Sequence, residues 1–513
     1  MPDLSFPNLP SNWKLPLFWL EFANGGQGGL QQQQSLLIGQ TVTAQPAAPV
    51  WVASVAQAIA LFGAGSALAQ MVQKYLKADP AGALYCLPIA DNGGGTAAGG
   101  SLSVSGTATA PGVLSIYVGG RLVSVPVTSG MTNAQAATAI VAALTVYVDA
   151  DGVKLPVSAA VDGTNDFQVN LTANHKGVLG NSIDVRMNYY GSQAGEAVPA
   201  GFSVTVSAMS GGATNPTMPE LDTALANVNY DFIAIAWNDT ATLNVMKDLM
   251  ANADGRWSYL EQAYGHVWAA KRDADATGGA NITFGEDRND QHCTIFSYEP
   301  MPATDWEVAA AAMGGCAASL RADPARPLQT LSVPGLLPPP VGSRYTLATA
   351  QELLSSGMAL FSYLADGSVS ILRAVTTYQK NAYGTTDTLY LDTETLYTAM
   401  AVSRQLKSDA LTAFPRAKLV ADGTSFGPGT SFTNGQPDQP VATPGSIKAA
   451  IIASYRRMMK RGLVQNIEAF IAGLIVQINS TDPTRVDVGF DPKFASGLRA
   501  LGVLMQPSLS AAA

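Results

Sequence analysis

Residues 232–236 read FIAIA, a continuous apolar run of strand length. Similar runs follow at 266–270 and 293–296, and helical stretches are expected at about 240–252 and 305–321. Continuous apolar runs that alternate with helices are typical of parallel strands with both faces covered. The sequence therefore predicts an α/β core built on a parallel sheet.

The block from 96 to 212 has a different texture and lies between glycine clusters. Its short alternating apolar runs predict strands, and the clearest is a hairpin at 113–127 that turns at Gly119-Gly120. Further strands are expected at 157–161, 168–173, 183–190 and 202–208, and one helix at about 133–144 behind a Thr132 cap. Flexible segments on both sides indicate a β-rich domain inserted into a parent domain.

Towards the C-terminus the pattern again mixes helices and strands. We expect a helix at 347–356, strands around 368–376, a helix from Thr443-Pro444 to about Arg461, and extended segments at 474–478 and 485–488. Residues 1–34 and those beyond 506 lack enough periodic apolar sequence to fold alone. Both chain ends are therefore predicted to be arms.

The charged fraction is unusual, because only 13% of the 513 residues are Asp, Glu, Lys or Arg, against ~25% in ordinary domains. With 47% hydrophobic residues and a net charge of -9, intrinsic disorder is excluded. There is no basic excess to neutralise phosphates, so nucleic-acid binding is not expected. The three cysteines have no CxxC spacing, which favours free thiols in a reducing compartment.

A membrane segment needs to be considered, because residues 22–73 carry no charged side chain. The window 50–72 is long enough to cross a bilayer, but it is rich in Ala and contains Ser and Gln, and no Lys/Arg asymmetry flanks it. The N-terminus lacks the features of a signal peptide. We expect buried helices here, without membrane insertion or secretion through the general pathway.

Two motifs approximate enzyme signatures. GTSFG at 423–427 matches a nucleophile elbow, but Pro428-Gly429 follows it and all three histidines precede it. GAGSAL at 63–68 approximates a dinucleotide fingerprint, but Leu68 replaces its third glycine and the sequence before it is helix-like. A Gly/Pro loop and a turn between two helices are the expected structures.

Candidate metal and acid–base groups also lack partners. Asp273 and Asp275 begin like a calcium loop, but Phe284 stands where the bidentate Glu is required. His292 has Cys293 beside it and no second ligand pair at suitable spacing, and His266 has no visible nucleophile. We predict no catalytic, cofactor or metal site. An α/β hydrolase or nucleotide-binding enzyme with an appended β domain, or a surface adhesin, remain alternatives at this point.

Six segments, in this order, resemble one family. They are LPLFWLEF at 15–22, LLIGQ at 36–40, LFGAGS at 61–66, DPARPLQTL at 323–331, RAVTTYQ at 373–379 and DPTRVDV at 482–488. The last two are the most specific. By these segments the chain resembles the contractile tail sheath proteins of Mu-like phages.

The resemblance implies a multidomain α/β and β fold, whose α/β core is often called subtilisin-like and lacks protease activity. The implied parts are an N-terminal arm at 1–34, the first part of the sheath core at 35–95, a β-rich outer insertion at 96–212, the α/β core at 213–375, a C-terminal sheath domain at 376–484, and a tube-facing helix with a C-terminal arm at 485–513.

The same resemblance implies a structural function. The subunit would polymerise helically around a tail tube, in rings expected to be six-fold, and contraction would drive the tube through the host cell envelope for genome delivery. The implied partners are further copies of itself, the tail tube protein, and the baseplate and tail terminator proteins. The implied location is the virion tail, after assembly in the cytoplasm of the host bacterium.

Site residues follow from the resemblance as well. In such sheaths the arms add strands to sheets of neighbouring subunits, and a helix near the C-terminus faces the tube. The implied tube-facing helix is 492–501, with Lys493 and Arg499. A second candidate is the helix ending at Arg461, whose last turns carry a basic cluster of Arg456, Arg457, Lys460 and Arg461. The same cluster would also complement the dipole of its own helix. The implied inter-subunit residues in the arms are Leu4, Phe6, Leu9, Val503 and Leu504.

Overall fold

The computed structural model describes residues 33–258, 260–424 and 441–506. The strands within these residues are β1 (Gln34–Gln40), β2 (Val50–Trp51), β3 (Ala83–Ile89), β4 (Ala97–Gly106), β5 (Gly112–Val118), β6 (Arg121–Val127), β7 (Val157–Val161), β8 (Gln168–Lys176), β9 (Val185–Met187), β10 (Phe202–Ser210), β11 (Phe232–Ile235), β12 (His266–Arg272), β13 (Cys293–Tyr298), β14 (Met358–Tyr363), β15 (Val369–Arg373), β16 (Lys418–Leu419), β17 (Val441–Ala442), β18 (Ile475–Ile478) and β19 (Val486–Gly489). The helices are α1 (Val55–Phe62), α2 (Ala67–Ala78), α3 (Asn133–Val146), α4 (Leu221–Leu225), α5 (Thr240–Leu249), α6 (Gly279–Arg288), α7 (Asp305–Ala322), α8 (Leu347–Ser355), α9 (Thr393–Ala413), α10 (Pro444–Lys460) and α11 (Ile467–Gly473).

An eight-stranded sheet has the order β15-β14-β13-β12-β11-β1-β3-β2. Its inner pairs, from β14 to β3, are all parallel, and β15 and β2 add antiparallel strands at the two edges. Leu37, Ala234 and Trp268 stand side by side across the three middle strands and are fully buried. The predicted parallel sheet is confirmed, since the apolar runs at 232–236, 266–270 and 293–296 form the parallel strands β11, β12 and β13.

Helix α7 is the main cover of this sheet, and it contacts α2, β11 and β12. Its residues from Asp305 to Gly314 are all buried, and the run of small side chains at 309–312 lets the helix approach its neighbours closely. The predicted helix at 305–321 is thereby confirmed. The first ten residues of this 18-residue helix are therefore buried, and the helix packs between α2 and the central sheet.

Residues 97–210 form two antiparallel sheets, β10-β4-β8-β7 and β6-β5-β9. The predicted hairpin is confirmed as β5 and β6, whose turn residues Gly119 and Gly120 have φ of 54° and 77°. Both values lie in the left-handed region that glycine adopts without strain. Helix α3 begins behind Thr132, whose side chain and that of Gln135 form a reciprocal capping box. The expected strand at 183–190 is shorter, because the left-handed Asn188, with φ of 51°, ends β9.

The C-terminal part has a second, smaller hydrophobic cluster, which contains residues of α9, α10 and α11. Thr443 caps α10 and Pro444 opens it, as predicted. The expected helix at 492–501 is wrong. The backbone oxygen of Lys493 accepts a hydrogen bond from the Gln465 N–H, and the Ala495 N–H donates one to the Leu463 oxygen. This segment therefore runs extended alongside residues 463–465 and does not form a helix.

The uncharged window at 50–72 folds as β2, α1 and the start of α2, which agrees with the expected buried helices. Among the residues that the structure describes, no helix combines the length and apolar character that a membrane crossing requires. The three cysteine thiols are buried.

Candidate assembly surfaces

Strands β18 and β19 form a small antiparallel hairpin, in which Ile475 faces Gly489 and Ile478 faces Val486. Within the described part of the chain, neither strand pairs with a third strand. Each strand therefore keeps one edge of backbone N–H and C=O groups without a strand partner, and such an edge is a template for strand addition. Ile475 is 60% exposed beside it.

A C-terminal tail follows the hairpin. Over residues 490–506 its regular pairing is the single bridge between Phe494 and Val464. Beyond this bridge the tail presents apolar side chains that are 70–82% exposed, namely those of Leu498, Leu501, Val503, Leu504 and Met505. Val503 and Leu504, expected in the C-terminal arm, thus have apolar surface available for a partner. Leu4, Phe6 and Leu9, expected in the N-terminal arm, lie outside the described residues.

The tail is held to the body of the protein by Arg499. Its guanidinium pairs with Asp392, at 3.1 Å, and with Glu394, and it also donates to Gln329 at 3.2 Å. Burial raises the pKa of Glu394 to about 7, with Arg499 opposing the shift and Asp392 adding to it. Arg499 is therefore an internal anchor in this structure, and its expected contact with a tube stays a prediction.

The start of β1 is held by a second arginine, Arg321, in the last turn of α7. Its guanidinium donates to the backbone oxygen of Gln33 at 3.2 Å and to the Ser35 hydroxyl at 2.9 Å. It is oriented by an ion pair with Asp79 and a hydrogen bond to the Tyr75 hydroxyl. Because Gln34 already belongs to β1, the expected N-terminal arm overlaps the sheet by one residue.

Helix α9 lies beside both of these points. Arg404 pairs with Asp231, and the Asp231 N–H donates to the Gln34 oxygen at 2.9 Å. At the other end of α9, Glu394 binds Arg499. Burial raises the pKa of Asp231, and Arg404 opposes that shift. Helix α9 therefore contacts the C-terminal tail directly, and it contacts the start of β1 through Asp231.

The other basic candidates are exposed or partly exposed. Arg456, Arg457, Lys460 and Arg461 lie in the last turns of α10, where Arg457 also pairs with Asp409 at 2.8 Å. Lys493 pairs with Asp491 at 2.6 Å. An apolar cleft of about 270 Å³ lies between α9 and α10 and is lined by Leu406, Phe414, Ile447 and Val488 among others. Since Val488 belongs to β19, the cleft adjoins the open hairpin.

Known proteins of similar sequence show the family to which the chain with these surfaces belongs. Residues 211–377 match the family model for the central domain of phage tail sheath proteins. Over 496 residues the chain is 36% identical to a Mu-like prophage FluMu tail sheath protein of Haemophilus influenzae, covering 95% of this chain and 96% of that protein. This chain belongs to the phage tail sheath protein family. Its role is that of a structural sheath protein.

Solved structures similar to this sheath protein include a sheath tail protein of Desulfitobacterium hafniense. It is 11% identical with a TM-score of 0.46, and the match covers 94% of this chain and 97% of that one. The helical sheath of an anti-feeding prophage in its contracted state is 10% identical with a TM-score of 0.45, covering 97% and 99%.

The histidines of the sheath protein are structural. His266 is fully buried and its Nε2 lies 2.8 Å from the Thr294 hydroxyl; burial holds its pKa well below the ordinary value. Burial likewise lowers the pKa of His292 to about 3. His175 pairs with Asp91 at 3.0 Å and accepts from the Ala67 N–H at the start of α2. All three therefore pack or cap elements of the fold.

The motifs with enzyme-like spacing have local structural roles. Residues 63–66 form the turn between α1 and α2, as expected, and Ser66 caps α2, which begins at Ala67. Asp273 accepts from the Gly278 N–H at 2.6 Å, and Asp275 accepts from Thr277 in the same loop. No group of three metal-ligating side chains is placed to hold an ion in the described ranges. Ser425 of the elbow-like motif lies outside them.

Sequence reasoning missed the residues that hold the chain ends, namely Arg321, Gln329, Asp392, Glu394 and Arg404. Their partners lie more than 100 residues away in the chain in most cases. The only local signal was the acidic pair Asp392 and Glu394 at the start of α9, which reads as ordinary helix capping.

Proposed function

We propose that this sheath protein polymerises helically around a tail tube, and that its chain ends add strands to the β18–β19 hairpins of neighbouring subunits. The observation that carries the proposal is the pairing of two complementary features in one chain. The hairpin has open edges beside an apolar cleft, and the tail has exposed apolar side chains such as Leu504.

Strand addition suits a polymer that changes shape. It joins subunits through backbone hydrogen bonds, while pockets for alternate side chains supply specificity. A strand added along β19 would run beside the cleft that Val488 lines, where its apolar side chains are removed from water. Because such links do not depend on surface charge, they persist while subunits tilt against one another.

Contraction then needs a source of free energy within the polymer. If each subunit buries ~100 Å² more apolar surface in the contracted state, it gains about 2.5 kcal/mol. Repeated over a long sheath, this is enough to drive the tube through a host cell envelope and deliver the genome without ATP. The extended sheath is then a kinetically held state.

The contact with the tube has to release, so screened charge pairs of ~0.2–1 kcal/mol each suit it. The candidates for this contact are the exposed basic cluster of Arg456, Arg457, Lys460 and Arg461, and Lys493, whose side chain is 40% exposed. Arg499 is a weaker candidate than the sequence implied, because its guanidinium is already paired within the chain.

We also propose a domain organisation for the chain and an assembly context for the sheath. Residues 35–95 and 213–375 form a subtilisin-like sheath core without catalytic activity, 96–212 an outer insertion, and 376–484 a C-terminal domain. The sheath forms six-fold rings in the host cytoplasm, on a baseplate and below a tail terminator, and functions in the virion tail.

Assembly of the purified protein tests the proposal. Negative-stain microscopy is expected to show long hollow helical tubes for the wild type. Leu504→Asp places a charge on an 82% exposed side chain of the tail and should abolish tubes while leaving the circular dichroism spectrum unchanged. Deletion of residues 1–11 should do the same.

Leu347→Asp is the matched control, because Leu347 is 92% exposed at the start of α8, far from the tail in sequence; it should form tubes like the wild type. A wild-type protein that stays a monodisperse ~53 kDa monomer under all assembly conditions would overturn the proposal. Tubes formed equally well by Leu504→Asp would remove the tail from it.

A further inference from the structure

The two chain ends leave the folded body beside the same piece of chain, the C-terminal end of α7 and the connection that follows it. The root of the N-terminal end, Gln33 to Ser35, is bound by Arg321 in the last turn of α7. The root of the C-terminal tail, Gly497 to Arg499, is bound by the connection at 327–329, directly after α7.

The contacts at the C-terminal root are close. A Cβ atom placed on Gly497 would lie 2.6 Å from Cγ of Pro327, so the tail backbone and the connection touch and no larger residue fits between them. The Gln329 side chain donates to the Leu498 oxygen at 3.3 Å and accepts from Arg499 at 3.2 Å. One glutamine therefore binds both the backbone and a side chain of the tail.

Helix α9 ties the two roots together from the other side. Glu394 and Asp392, at its start, bind Arg499. Thr398 donates to the Pro324 oxygen at 3.1 Å, which fixes the connection. Arg404 pairs with Asp231, whose N–H holds the Gln34 oxygen. The N-terminal root is thus bound directly to α7 and through Asp231 to α9, and the C-terminal root is bound to the connection and to α9.

The guanidinium groups in these contacts are mostly buried. The side chains of Arg321, Arg404 and Arg499 are 18–24% exposed, and each is paired with a carboxylate that is largely or partly buried. Charge-assisted hydrogen bonds in such surroundings are stronger and more directional than surface pairs. Chain ends that left the protein through exposed, flexible segments would not need such buried ion pairs.

We propose that the end of α7, the connection at 323–330 and the flanking turns of α9 form a shared anchor for both chain ends, which passes load from one to the other. This inference rests on the proposed function, in which both ends bind neighbouring subunits. In a contracting polymer each subunit is pulled at both ends. Arg321 binds Gln33 and Ser35 at the point where β1 begins. The anchor therefore takes up load before it reaches the rest of this strand, which pairs with both β3 and β11 in the middle of the sheet.

Single-molecule pulling of the full chain, with handles at its two termini, tests the anchor directly. Arg321→Gln and Arg499→Gln should each lower the force of the first rupture at least twofold, and each should shorten the tubes seen by negative stain. Lys154→Gln is the control, because Lys154 is an exposed cation of the β-rich block and lies far from both roots in the sequence. It should leave force and tube length unchanged.

Gln329→Ala is the replacement variant if an arginine variant fails to fold, since Gln329 is partly exposed and contacts the tail. It should lower the rupture force in the same direction. Rupture forces and tube lengths equal to the wild type in all three variants would overturn the anchor. A wild type that forms no tubes, with a lowered rupture force in the variants, would instead overturn the proposed function and leave the anchor standing.

Discussion

Glu307→Gln should be among the most destabilising single-atom changes in this protein. Glu307 lies in α7, is fully buried, and pairs with Arg121 at 2.9 Å and Lys74 at 3.7 Å. Burial opposes its ionisation, but Arg121 and Lys74 outweigh that effect and hold its pKa below the ordinary value. Because Arg121 begins β6, this cluster joins the β-rich block to the helix that covers the central sheet.

The magnitude follows from the charges left behind. At an effective dielectric constant of ~20, unit charges ~4 Å apart attract by about 4 kcal/mol, and removal of one partner of a buried pair typically costs ~3–5 kcal/mol. In Glu307→Gln the guanidinium of Arg121 and the ammonium of Lys74 together lose the carboxylate closest to them, and only the more distant Asp149, 3.8 Å from Arg121, still pairs with the arginine. We therefore expect the free energy of unfolding to fall by about 3–5 kcal/mol.

Urea denaturation followed by tryptophan fluorescence measures this change, and Trp306 stands next to the substituted residue. Glu352→Gln is the control, since Glu352 is exposed on α8 and should change stability by less than about 0.5 kcal/mol. Arg121→Met combined with Glu307→Gln should cost less than the two single changes together, because the double variant leaves one unpaired charge fewer. A loss below ~1 kcal/mol, or strict additivity, would refute the reasoning.

Two further changes are predicted. Gly120→Ala should lower the free energy of unfolding by about 2 kcal/mol or more, because φ is 77° and a Cβ atom would collide with the Pro302 oxygen; thermal unfolding measures it, and a wild-type Tm would contradict it. Glu394→Gln should flatten the pH dependence of stability. The wild type, whose Glu394 pKa is raised from 4.5 to about 7, loses about 1.4 kcal/mol per unit of that shift as pH rises through this interval; equal slopes between pH 5 and 8 would contradict it.

The elements that could be predicted from sequence are those with a local cause. The buried strands β11 to β13 are continuous apolar runs, the β5–β6 hairpin has two glycines at its turn, and α3 and α10 begin at threonine caps. In each case a few neighbouring residues determine the structure, so their pattern is visible without knowledge of the rest of the chain.

Elements set by distant contacts could not be predicted in this way. The helix expected at 492–501 is lost because Lys493 and Ala495 bond to the backbone at 463–465. The position of β1 between β3 and β11 depends on strands that lie about 50 and 200 residues further along the chain. For the same reason the pairing of Arg499 with Glu394 within the chain is not visible in the sequence.

The low charged fraction can be understood from the positions of the charged residues in the fold. Arg121, Arg321 and Arg499 bind carboxylates far away in sequence and are largely buried, whereas β4, β7 and β10 contain no charged residue at all. A subunit covered by neighbours cannot leave charges unpaired at its contacts without a desolvation cost. Backbone edges carry no such cost once a strand is added, because every N–H and C=O gains a partner. In the proposed function the buried ionic groups therefore fix the points from which the chain ends leave the body, and the backbone edges of the β18–β19 hairpin make the contacts between subunits.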